Sequence, residues 1–239
     1  MLATIYCLLY GDHFKLHKRL LDSLQKHLPV GEARVVVWCN TVCNYTQHYL
    51  QAVPISWEVI LSAKNVPKYE VMRRLFRGAA VPAPETEWVV WFDDDSHIVK
   101  ADWWPRTKAY LAEKTDEGIV YAGEAWYVHH LPGQWEFIKQ AKWFKGLEPQ
   151  MCPTRKPGVQ QPGIWFAQGA YWWMRTDVME RLNWPDDRLQ HNGGDTLLGE
   201  AIRQQGLPFH RFHHGVKLND AKRRGFHEKP AGSRKDVRR

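Results

Sequence analysis

The sequence predicts an α/β domain built on a mostly parallel, twisted sheet with helices on both faces. Three observations predict it. Apolar runs alternate with segments of helical periodicity through the first hundred or so of the 239 residues, the order that builds parallel strands joined by crossover helices. The strand candidates are continuously apolar and rich in β-branched and aromatic side chains, as strands covered on both faces are. Finally, 44% apolar residues, with 13 tryptophans among them, supply a large core, which excludes wholesale disorder.

Taken in order, "TIYCLLY" (4–10) reads as a buried strand. In 13–28, Phe14, Leu16, Leu20, Leu21, Leu24 and Leu28 form a helical stripe. "ARVVVWC" (33–39) is a second strand, 45–52 a short helix and "SWEVILS" (56–62) a third strand. The basic helix "KYEVMRRLFRG" (68–78) leads into "EWVVWFDDDSHI" (87–98), an apolar strand ending in three aspartates. Beyond it come a helix at 103–115, a strand at 118–125 and an aromatic helix at 134–145. The Pro- and Gly-rich stretch 146–163 reads as a loop, "LPFHRFH" (207–213) as strand-like. One domain over 1–219, divided near residue 100, followed by a tail at 220–239, is the simplest organisation.

Charge and cysteine content narrow the class. The net charge is +7, and 220–239 holds eight Lys or Arg against three Asp or Glu, so the body is close to neutral. Such a tail is either a solvated end or a polyanion contact, nucleic acid first. Cys7, Cys39, Cys43 and Cys152 have no metal-finger spacing and read as free thiols of a reducing compartment. The N-terminal apolar run ends at Gly11-Asp12, too soon for a signal peptide or a membrane span. A soluble, cytoplasmic protein is expected.

Asp93, Asp94 and Asp95 carry the chemistry. Adjacent carboxylates repel, and one suffices to cap a helix, so three at a strand end suit a hard cation such as Mg²⁺ or Mn²⁺ that holds a diphosphate. Strand C-termini are where open α/β sheets bind ligands. Two later segments add to this. "FAQGAYWWMRTDVMERL" (166–182) has a small-residue turn at Gly169-Ala170, and "HNGGDTLLGEAIRQQG" (191–206) sets Asp195 at a helix start after two glycines. There Asp195 is either an ordinary N-cap or a base for an incoming hydroxyl. Lys68 and Arg73 stand ready for a diphosphate or simply solvate a helix face. Trp103, Trp104, Trp126, Trp165, Trp172 and Trp173 divide between core and a stacking platform.

"WFDDDSHI", "QGAYWWMRTDVMERL", "GGDTLLGEAIRQQG" and "PFHRFHH", in that order, resemble the GT-A class of nucleotide-sugar glycosyltransferases. The likeness is nearest to the fringe and β-1,3-glycosyltransferase type and covers most of 4–214. It implies a GT-A fold with a nucleotide-binding first half (1–100) and an acceptor-side second half (101–219). Asp95 and Asp93 would be the metal carboxylates, and Asp93 or Asp94 would reach the ribose. Tyr10 and Gly11 would hold the base of the nucleotide. Asp195 would be the general base of an inverting transfer, and His213, ahead of His214, would complete a shell favouring Mn²⁺ over Mg²⁺. Gly169, Trp126 and Trp172 would line the acceptor side.

The expected activity is sugar transfer from a UDP-sugar to a hydroxyl. The basic tail and the aromatics point to a hydroxymethylated pyrimidine in DNA as acceptor, with a glycan or small molecule as the alternative. A metal-dependent nuclease or phosphohydrolase also needs clustered carboxylates, but it calls for a second cluster that the sequence lacks.

Overall fold

The structure, a computed structural model, describes residues 1–114, 123–129 and 132–218. In chain order its first half runs β1 (Ala3–Tyr10), α1 (Phe14–His27), β2 (Ala33–Asn40), α2 (Asn44–Tyr49), β3 (Glu58–Ser62), α3 (Lys68–Phe76), β4 (Trp88–Asp93), β5 (His97–Ile98) and α4 (Trp103–Glu113). The second half runs β6 (Ala125–His129), α5 (Pro132–Lys139), β7 (Gln150–Pro153), β8 (Gln160–Ala167), β9 (Tyr171–Arg175), α6 (Thr176–Arg181), α7 (Gly194–Gln205) and β10 (Val216–Lys217).

The main sheet has the order β3-β2-β1-β4-β9. Its first four strands are parallel, and β9 closes the edge antiparallel to β4. The two-residue period of a strand splits its side chains between two cores. Tyr6, Val36, Val89, Trp91, Trp172 and Met174 pack with α3 and α7 on one face. Ile5, Cys7, Val37, Val90, Phe92 and Trp173 pack with α1 and α4 on the other. On α1 the apolar stripe is spent on this contact, Leu20, Leu21 and Leu24 being wholly buried. All four cysteines are free thiols.

Two smaller sheets position the rest. A three-stranded antiparallel sheet, β6-β8-β7, packs through β8 on α7. A two-residue pairing of β5 with β10 brings the chain at 213–217 back beside the segment that follows the aspartates. Among the described residues no helix is long and apolar enough to cross a membrane.

Several expectations need correction. The stretch 146–163 is not a continuous loop, because β7 and the first half of β8 lie in it. Gln and Pro can occupy the exposed ends of such a hairpin despite their low strand propensity. Of the strand expected at 118–125, Gly123 and Glu124 are not in a strand and β6 begins at Ala125; 115–122 and the tail 219–239 lie outside the described residues. Residues 207–210 form no strand, and the aromatic helix ends at Lys139. Trp172 does not face an acceptor. It is fully buried opposite Trp91, the two rings stacked at 6.4 Å and 12°. A strand's face is fixed by its register, and a slip of one residue exchanges inside for outside.

Trp172→Ala should therefore act on stability. A loss of about 3–5 kcal/mol in chemical denaturation is expected; an unchanged denaturation midpoint would contradict the core assignment.

Candidate active site

The end of β4 gives each aspartate a different environment. Asp93 continues the alternation of Val89 and Trp91 and so faces the α3 and α7 side. Its Oδ1 accepts a 2.8 Å bond from the Trp91 indole, and its Oδ2 lies 2.6 Å from the Lys68 ammonium. Lys68, the first residue of α3, also donates to the Gly169 carbonyl at 3.0 Å. A backbone bond from Asp93 N to Ala170 O (2.8 Å) ties the same turn to β4. Three distant segments thus meet on one ion pair that is mostly shielded from solvent.

Asp94 turns the other way and is almost wholly buried. Its Oδ2 accepts from Tyr10 N–H and lies 3.2 Å from His17 Nε2. His17, itself buried, stands 2.8 Å from Thr46 Oγ1 through its other ring nitrogen. Asp94 therefore fastens the β1–α1 turn, where Gly11 has φ +64, to the end of β4. A 3.0 Å bond from Ser96 N–H to Asp93 O closes the tight turn that carries Asp94 and Asp95.

Asp195 reaches the same region from the opposite side. It stands in the first turn of α7, whose N-cap Gly193 has φ +87, a conformation favourable only to glycine. Gly194 has no room for a side chain, since a Cβ there would lie 2.0 Å from the Tyr69 ring. Gly169 meets the same limit: its Cβ would come within 2.4 Å of Asp195 Oδ1. The two small-residue turns thus let two backbones close on one carboxylate. Tyr69 O–H donates to Asp195 Oδ1 at 3.4 Å. Burial raises the Asp195 carboxyl to about 6; Lys68 draws it down, Asp93 pushes it up and the Tyr69 bond lowers it.

Lys68, Asp93, Gly169 and Asp195 share a cavity of about 210 Å³ with Trp126 and Phe166. Those two rings are opposite each other on β6 and β8 and stack at 4.5 Å and 28°, Trp126 being 41% exposed. A cation, a raised carboxyl and an aromatic wall at the carboxyl end of a parallel sheet suit an anionic leaving group beside a hydroxyl.

Other expected residues lie elsewhere. Arg73 does not point at the cavity; its guanidinium donates to the carbonyls of Asp186 and Leu189, both at 2.9 Å, and so holds the loop leading to Asp195. His213 is exposed, while His214 Nε2 lies 2.9 Å from Asp102. Among the described residues no three His, Cys, Asp or Glu side chains are grouped to hold a metal ion. Tyr69, Phe166 and His17 were not legible as site residues. Only the adjacency of Tyr69 to Lys68 offers a signal.

No family model matches the sequence, and no curated protein matches it. Solved structures do match its fold. The mannosyltransferase PcManGT from Pyrobaculum calidifontis, in complex with GDP-Man and Mn²⁺, aligns over 94% of this chain with a TM-score of 0.59 and 17% identity. The first 349 residues of S. aureus TarS align over 84% of it, with TM-scores of 0.52 (15% identity, with UDP) and 0.50 (17% identity). This chain shares the fold of these two glycosyltransferases. The chain spans 58% of the mannosyltransferase, 55% of the TarS chain with UDP and 56% of the other TarS chain.

The Gly169–Asp195 contact can be tested by a mutant cycle. Gly169→Ala should cost about 1–3 kcal/mol by overpacking and distinctly less in an Asp195→Ala background. Equal costs in both backgrounds, measured by chemical denaturation, would contradict the contact.

Proposed function

We propose that this protein is a glycosyltransferase that moves a sugar from a nucleoside-diphosphate sugar, a UDP-sugar by preference, to a hydroxyl acceptor with inversion. The observation that carries the reading is the shared cavity, in which Lys68 and Asp93 meet Asp195 across Gly169. The fold likeness adds to it, since the mannosyltransferase is solved with GDP-Man and Mn²⁺ and TarS with UDP.

In the proposed step, Asp195 takes the acceptor's hydroxyl proton as the acceptor oxygen bonds to the anomeric carbon. The bond from that carbon to the diphosphate oxygen breaks, and the diphosphate keeps the electron pair. Lys68 supplies positive charge on the leaving-group side, while Asp93 holds its ammonium in place. Tyr10 and Gly11, fixed through Asp94, border the nucleotide side. Trp126 and Phe166 offer the acceptor a flat apolar face.

A divalent cation fits this donor set only together with the nucleotide. Asp93 already engages Lys68 and Trp91, and Asp94 engages Tyr10 and His17. Asp95, in the turn that follows β4, would supply the carboxylate that holds the ion, with oxygens of the donor completing the shell; the ion would neutralise diphosphate charge. The fringe-like subtype, and His213 as a further ligand of the ion, belong to this same reading. The acceptor in this reading is a hydroxymethylated pyrimidine in DNA, and transfer to a glycan but not to DNA would replace it.

Calorimetry should give weak Mn²⁺ binding alone and tight binding of UDP only when Mn²⁺ is present, both lost in Asp95→Ala. UDP binding that is indifferent to metal and to Asp95 would remove the cation from the account. Asp195→Asn should keep UDP binding and lower kcat by about 10²- to 10⁴-fold. Because a base must be ionised, wild-type kcat/KM should fall as the pH drops through about 6; a flat profile there would exclude Asp195 as the base.

A further inference from the structure

On the opposite face of the sheet, α1 and β5 border an open groove of about 490 Å³. Four Lys or Arg side chains line it, Lys15, Lys18, Arg19 and Lys26, against a single carboxylate, Asp22. Their spacing in α1 sets them along one side of the helix, and the eleven steps from Lys15 to Lys26 span about 16 Å. Asp22 is already engaged by Lys18 at 2.5 Å and by the Tyr49 hydroxyl. His97 on β5 forms part of the far wall.

We infer that this groove binds the phosphodiester backbone of a nucleic acid. A row of cations about 16 Å long, set in a cleft, matches several successive phosphates of one strand. The apolar residues of α1 argue against a membrane surface, which needs an apolar helix face turned outward. Here Leu20, Leu21 and Leu24 are all at 0% exposure. The sequence adds a second source of charge. Residues 220–239 hold eight Lys or Arg against three Asp or Glu. Phosphate contacts of this kind position a substrate without reading its sequence.

The inference rests on the nucleic-acid reading of the acceptor, and binding is measured apart from transfer so that the two can fail separately. The probe is a fluorescein-labelled, unmodified 20-base-pair duplex, titrated by anisotropy with the full chain at several salt concentrations. Lys15→Glu/Lys26→Glu changes two exposed positions. It should weaken binding by roughly tenfold or more at 0.1 M salt, and make the slope of log K against log salt shallower by about two. Lys139→Glu/Lys142→Glu makes the same change in net charge on exposed residues outside the groove and should bind nearly as wild type, and both variants should bind UDP unchanged. Duplex binding lost equally in both variants, or unaffected by the groove variant, would overturn the groove while leaving a nucleic-acid acceptor standing. No duplex binding by wild type would overturn both. Binding to vesicles of phosphatidylcholine and phosphatidylglycerol that the groove variant alone loses, with duplex binding intact, would assign the groove to a lipid surface instead.

Discussion

The ion pair of Lys68 with Asp93 is the contact on which the rest of the site depends. A cation at the start of α3 is held against the last residue of β4 and also binds the carbonyl of Gly169, which joins β8 to β9. Strand, helix and turn are thereby fixed at one point where the sheet ends. The pair is shielded from water, so its members are worth more together than apart. Removing one leaves a charge that the surroundings cannot solvate. The same two charges act on Asp195 in opposite senses, and burial outweighs both.

The three aspartates read as one motif, but the fold uses them as three separate devices. Asp93 anchors the cation. Asp94 is a buried strut, joined through Tyr10, His17 and Thr46 to the β1–α1 turn. Asp95 lies in the turn beyond the strand. This division lowers the cost of like charges side by side, because Asp93 and Asp94 turn to opposite faces and meet different donors.

Much of this was legible. Alternating apolar runs and helical stripes gave the parallel sheet and its flanking helices, since period and length are properties of local sequence. Asp195 could be assigned to a helix start because two glycines precede it. What failed was long-range. Trp172 and Trp126 are equally aromatic, and only strand register decides that one stacks in the core while the other borders a cavity. Arg73 lies about 1.4 turns beyond Lys68, which is enough to turn it from the cavity to the loop at 186–189. The β7–β8 hairpin carries Pro and Gly, which in sequence speak for a loop. His17 gave no signal and Tyr69 only its adjacency to Lys68, because their roles exist only once β4 and α7 have closed on them.

The most direct test of the central claim needs no substrate. The carboxyl of Asp195 can be titrated by ¹³C NMR in protein labelled at aspartate, in wild type and in Lys68→Met. The account predicts a titration near pH 6 in wild type that moves to higher pH when the Lys68 charge is removed. A carboxyl that titrates near an ordinary aspartate value, and does not respond to Lys68, would mean that the two groups do not share a site.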